Sequence, residues 1–360
     1  MPHWRWSCPV VLLAMLGTLW LPVAVLAAPP LPASTVSPIT GGDRLKIKTF
    51  VQYECNRLAA VTNLRRAVRI RRALTAPVAA SANASAEFRY RYAHTVGVQC
   101  AKLLTNKNAA LNAIIVIADM RDISVETALE NGLSNHNPAV RYWAAKGLGE
   151  ILNTLSVIRA AFHRAIAKLG AALKAETDPI VRQRIEDTLV EPRNPPRQAA
   201  SLLIGALATT AKGFAASPPH DLESVVSGIT DVNKLLKKNV TLNAVQTRAA
   251  VSAVSRLISF SAQWYDTRQI PLDEKPFVPQ VMAAAGVLLD RLGKTTDFSG
   301  LKTGPKPDPV SLLLKVNNVT GSPGAPGEIQ KVFPGVKSPP RIKKTAVAVV
   351  PAAPRSKTRP

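Results

Sequence analysis

Aromatic residues are scarce in this chain, 5% of its 360 positions, and only three cysteines occur. A core with so few rings must be built mainly from Ala, Leu, Val and Ile, within an apolar content of 47%. Small aliphatic side chains of this kind suit closely packed helices, and alternating strand patterns are correspondingly rare. No Cys-x-x-Cys occurs, which removes the main support for redox catalysis and for a zinc knuckle. Beyond residue 27 the only histidines are His94, His136, His163 and His220. The motifs His-Glu-x-x-His, Gly-x-Ser-x-Gly and Gly-x4-Gly-Lys are all missing. His163 falls at a helix-surface position and His136 in a turn. Glu126 with Glu130, and Glu186 with Asp187, are spaced as helix-surface charges without an acid–base partner. These absences point to a non-enzyme with no catalytic residue, metal site or cofactor, with an enzyme of unrecognised, dispersed site as the lesser alternative.

Acidic residues are the other shortage. Lys and Arg number 46 against 23 Asp and Glu, a formal charge of +23. Near the N-terminus Arg5 precedes an almost wholly apolar run from Cys8 to Ala28, which closes on Val25-Leu26-Ala27 before Ala28-Pro29-Pro30. This pattern predicts a signal peptide over residues 1–27 and a secreted or periplasmic protein. An uncleaved anchor is the alternative, because the run approaches bilayer-spanning length. Pro9, Gly17, Pro22 and the small-residue end favour cleavage, after which no membrane span is expected. Export leaves Cys55 and Cys100, which an oxidising compartment allows to pair; two separate buried thiols are the other reading.

Residues 28–43, rich in Pro, Ser, Thr and Gly, read as a linker. Residues 44–295 read as a helical domain of about ten to twelve helices, with breaks near Pro77, Pro195-Pro196, Pro218-Pro219 and Pro271. From 296 to 360 the chain turns rich in Pro, Gly, Lys and Arg and predicts a basic disordered tail. Within it Ser311 to Val316 is a candidate ordered segment, docked on the helical body or on a partner.

The most informative pattern is a pair of segments. Asn137-Pro138-Ala139-Val140-Arg141 and Asp178-Pro179-Ile180-Val181-Arg182 both place an N-cap residue before a proline at the first helical position. Val140, Ala144, Leu148 and Ile151 then recur at helical spacing, as do Val181, Ile185 and Leu189, so both helices carry an apolar stripe. Arg141 and Arg182 sit where a guanidinium can reach a carboxylate or a helix-end carbonyl of a neighbouring unit. These residues resemble a HEAT repeat, whose second helix opens with Asp/Asn-Pro-x-Val-Arg and continues with Ala and Leu at buried positions. The separation of about 40 residues agrees with that family's period. Asn106 to Met120 and Val245 to Ala253 are weaker units, lacking the proline and the arginine. The resemblance implies an all-α, HEAT-like α-solenoid, or an irregular array of helical hairpins, that acts as a protein-interaction scaffold.

Positive charge supplies the second lead. Arg65, Arg66, Arg69 and Arg72 fall on one helical face, with Leu64, Ala67, Val68 and Leu74 expected inward. In Phe88-Arg89-Tyr90-Arg91-Tyr92, arginines alternate with aromatics, a pattern that in nucleic-acid proteins suggests base stacking beside phosphate contacts. Export argues against nucleic acid as the partner. A protein partner, or else anionic polysaccharide or lipid headgroups attracted through Arg65, Arg66, Arg69, Arg72, Arg89 and Arg91, is expected instead.

Overall fold

The computed structural model describes residues 28–79, 83–293 and 298–342. The expected signal peptide, residues 1–27, lies outside the described residues. Many of the helices begin where short polar side chains can satisfy the free N–H groups of a first turn. Thr40 and Asp43 form a reciprocal capping box that starts α1 (Gly41–Ala60). Asn63 accepts from the N–H groups of Arg65 and Arg66 at the start of α2 (Leu64–Ala79), and Ser85 caps α3 (Ala86–Ala101). Then follow α4 (Ala110–Asp119) and α5 (Glu126–Gly132). Asn137 and Asp178 cap α6 (Pro138–Leu155) and α8 (Pro179–Val190), each with proline in the first turn as expected, and α7 (Arg159–Ala175) lies between them. The array continues with α9 (Arg197–Phe214), α10 (Leu222–Lys237), α11 (Ala244–Asp266), α12 (Val278–Gly293), α13 (Pro309–Thr320) and α14 (Glu328–Val332).

From α1 to α11 each helix packs on the helix two places along the chain, and most also pack on their successor. Antiparallel hairpins therefore stack into two layers, one of α1, α3, α5, α7, α9, α11 and α13, the other of α2, α4, α6, α8, α10 and α12. This is an all-α solenoid, with no strand among the described residues. The stripe residues Val140, Ala144, Leu148, Ile151, Val181, Ile185 and Leu189 are all buried between the layers. The weaker unit at 106–120 supplies α4, which packs on α6 much as α6 packs on α8. The unit at 245–253 opens α11. There Gln246 occupies the position of the repeat arginine because its side chain completes a capping box with Asn243.

Three boundaries differ from the sequence reading. Residues 34–39 of the expected linker are docked: Ile39 is buried and its N–H donates to Glu87, while Ser85 donates to the carbonyls of Ser34 and Val36. Pro77, an expected break, is carried inside the last turn of α2. The tail expected from 296 is corrected over 298–342, where the chain folds onto the body. Phe298, Leu301, Leu312, Val316 and Ile329 are buried, α13 packs on α11, and the Ile342 N–H donates to Gln263. Docking of the 311–316 segment on the body is thus observed, and residues 343–360 lie outside the described residues. What starts α13 is Asp308-Pro309, a third Asp-Pro cap in which the Asp308 carboxylate accepts from the Ser311 N–H at 2.8 Å.

Close approach between α4 and α6 depends on Gly147. A methyl group there would sit 2.7 Å from Leu129 and 3.1 Å from the Ala118 backbone. Gly147→Val is expected to destabilise the fold by about 2 kcal/mol or more through overpacking, with residual helicity retained. Chemical denaturation followed by circular dichroism measures it.

Candidate partner-binding surface

The repeat arginines turn inward, to the joints between hairpins. Arg141 makes a two-pronged contact with Glu176, Nε to Oε2 and Nη2 to Oε1, both at 2.7 Å. Its remaining nitrogen, Nη1, donates to the carbonyls of Asn135 and His136. Glu176 closes α7 immediately before the next Asp-Pro cap and also accepts from the N–H groups of Thr177 and Asp178. Burial alone would raise its carboxyl, but the hydrogen bonds from Arg141 and Asp178 hold it below the usual range. Arg182 has the corresponding role in the following unit. It contacts Glu186 at 3.2 Å and reaches the Ala206 carbonyl and the Thr210 hydroxyl on α9. Asn137, Pro138, Arg141, Asp178, Pro179 and Arg182 therefore build the array, and Arg141 meets both a carboxylate and loop carbonyls.

Carboxylates that the sequence placed on helix surfaces are buried. Glu126 and Glu130 on α5 share Arg164 of α7, at 2.7 and 3.5 Å. Glu186 lies between α8 and α10, where burial pushes its carboxyl up to about 7 against the partial offset of Arg182. Burial likewise raises Asp231 on α10 to about 6, although Lys234 donates to it at 2.7 Å. One-dimensional spacing cannot reveal this, because a neighbouring layer supplies the burial. Polar groups also converge in a groove of about 570 Å³ lined by Glu130, Asn135, Arg141, Lys168 and Glu176. Its Arg141 and Glu176 are already committed to each other. Among the described residues no three His, Cys, Asp or Glu side chains gather as a metal site.

Charge reaches the outer surface on α2. Arg65, Arg66, Arg69 and Arg72 are exposed, and none forms an ion pair with a described residue. The helix contains no Asp or Glu. Its buried seam is Ala67, Ile70 and Leu74, at i, i+3 and i+7. Leu64, expected inward, is 72% exposed because the first residue of the helix stands ahead of that seam. The other two arginines diverge from each other. Arg89 borders a groove with Thr75, Asp119 and Asp122, whereas Arg91 faces α1 beside Arg44 and Lys48. Aromatic interleaving does not form a stacking platform: Phe88 and Tyr92 are buried against each other with ring centroids 5.6 Å apart. The Tyr92 hydroxyl donates to the Leu74 carbonyl at 2.9 Å, tying α3 to α2. Tyr90 alone of the three is exposed, stacked on His94. Cys55 and Cys100 are buried free thiols in sulfur–sulfur contact.

A pH dependence follows from Glu186 and Asp231. Their folded-state carboxyls titrate above ordinary Glu and Asp, so the folded chain binds protons that the unfolded chain releases between about pH 7 and pH 4.5. Stability therefore rises as pH falls through that window. The thermal midpoint is expected to be higher at about pH 5.5 than at about pH 7.5, and Glu186→Gln with Asp231→Asn should flatten the difference.

No curated protein and no solved structure matches the chain. A family model described as HEAT repeats matches residues 99–190. That span runs from the end of α3 to the end of α8 and contains the Asn137-Pro138 and Asp178-Pro179 caps and the Arg141–Glu176 contact. Residues 99–190 are thus HEAT repeats, and the same two-layer helical packing continues on either side of them in a longer α-solenoid.

Proposed function

We propose that this chain is an exported, non-catalytic scaffold that binds an acidic protein partner through its helical-repeat surface, with the α2 face as the principal contact. HEAT repeats commonly serve as protein-interaction scaffolds. Their stacked helices give a long, continuous binding surface. The carrying observation is the face of α2, where four exposed guanidiniums share one 16-residue helix with no acidic residue. Elsewhere Arg57, Arg141, Arg164 and Arg182 each meet a glutamate of the body. Repulsion among the α2 arginines is relieved when an anionic surface docks, and Leu64 beside them adds an apolar contact. Among the described residues no helix is long and apolar enough to cross a membrane. The export reading rests on Arg5, the apolar run to Ala28 and the small-residue site at Ala27.

A second reading, adhesion to anionic polysaccharide or lipid headgroups, draws on the same arginines. It also draws on the end of the chain, where Lys343, Lys344, Arg355, Lys357 and Arg359 stand without an acidic residue after Glu328.

The test is capture from the envelope fraction with the wild type and with a variant carrying Arg65→Glu, Arg66→Glu, Arg69→Glu and Arg72→Glu. The buried seam of α2 is untouched, so the variant should keep its helicity. A specific protein lost by about tenfold or more in the variant supports the scaffold. Equal recovery by both proteins overturns the α2 contact. Retention on heparin or anionic vesicles that disappears above roughly 0.5 M salt, with no protein captured, favours the second reading.

A further inference from the structure

Cys55 and Cys100 occupy the first two members of one helix layer. Their sulfurs are 3.3 Å apart, although the residues are 45 positions apart in sequence. Both side chains are buried, and neither thiol has been consumed in a bond. A disulfide needs its sulfurs about 2.0 Å apart, so the pair lacks a closure of only about 1.3 Å. Such a shift is small beside the adjustments that packed helices make when a side chain changes.

The position gives the pair a purpose. Inside a solenoid each hairpin is held from both sides, but a terminal hairpin is held from one. Here α1 packs chiefly on α2, α3 and α4, so the first hairpin is the place where the array can fray. A covalent link from α1 to α3 would tie that hairpin to its neighbour. We infer that Cys55 and Cys100 form a disulfide when the chain folds in an oxidising medium, clamping the first hairpin to the second.

The chemistry is a thiol–disulfide exchange with a small-molecule or protein disulfide as oxidant. One cysteine thiolate attacks the oxidant's S–S bond and forms a mixed disulfide, releasing one reduced thiol. The second cysteine thiolate then displaces the other half of the oxidant. Two protons leave the protein, and the two electrons end on the oxidant's two sulfurs, which depart as two thiols.

Once folded, the pair is shielded from this chemistry. Contact with Cys55 and burial together push the Cys100 thiol well above its ordinary value, so little thiolate is present. The link therefore forms during folding, before α1 closes over α3, and a pair still reduced once the chain is folded resists both oxidant and alkylating agent. The pair is a structural clamp set at folding and not a reversible sensor.

This inference goes beyond the scaffold reading and depends on neither the partner nor the export route. The full chain is denatured in reductant, refolded in a glutathione redox buffer, alkylated in denaturant and digested without reduction. Expected is one linked peptide pair joining Cys55 to Cys100, about 2 Da lighter than the two thiol peptides together, the mass of the two hydrogens lost in the oxidation. Adding reductant should then lower the unfolding midpoint by about 5–10 °C, a shift absent from the Cys55→Ala/Cys100→Ala variant. Recovery of both cysteines as alkylated thiols, or pairing of either with Cys8, overturns the clamp. If the denatured chain does not regain its helicity, protein exported into a bacterial periplasm is mapped in the same way, and the same two results decide.

Discussion

One contact fixes how neighbouring hairpins meet: the Arg141 guanidinium held between the Glu176 carboxylate and the carbonyls of the loop that precedes α6. The arginine belongs to the first turn of α6, and the glutamate to the end of α7, next to the cap of α8. Glu176 in turn accepts from the N–H groups that lead into that cap. A helix start, a helix end and a loop are thus locked by one planar group whose geometry matches the carboxylate. Hydrophobic burial supplies most of the stability of the stack but little direction. The arginine sets the register in which alanines and leucines of successive hairpins can interlock.

From this follows a division of labour among the many cations. Arginines that meet a glutamate at a joint, such as Arg141, Arg164 and Arg182, are structural and have little left to offer a partner. Arg65, Arg66, Arg69 and Arg72 on α2 make no such contact with a described residue and face outward. Two populations of one residue type therefore carry two roles, and only their surroundings tell them apart. The same holds for acids. Glu186 and Asp231 sit deep enough between layers that protonation favours the folded chain, while Glu176, fully hydrogen-bonded, stays ionised.

Features encoded within one helical turn were legible in the sequence. Asn137-Pro138 and Asp178-Pro179 announce helix starts through local chemistry alone, and the stripes behind them name the buried residues. Asp308-Pro309 carries the same signal, yet the surrounding Pro, Gly and Lys content pointed to an unfolded tail and concealed it. What depends on a second helix was not legible. Phe88 and Tyr92 looked like members of a basic-aromatic surface, although α3 turns both into the core. Glu126, Glu130 and Glu186 looked like solvated charges, and only the adjoining hairpin buries them. Arg65, Arg66, Arg69 and Arg72 were placed on a shared face and are all exposed, whereas Arg89 and Arg91, two residues apart, look toward different neighbours.

The central claim is that the Arg141–Glu176 contact sets the joint between repeats, and a double-mutant cycle with Arg141→Ala and Glu176→Ala measures it most directly. Arg141 is largely buried and Glu176 almost wholly so, so neither group is satisfied by water when its partner is removed. Expected is a coupling of about 2 kcal/mol in unfolding free energy, with each single variant costing nearly as much as the pair. Additive losses, with coupling near zero, would contradict the claim and leave the joint to apolar packing alone.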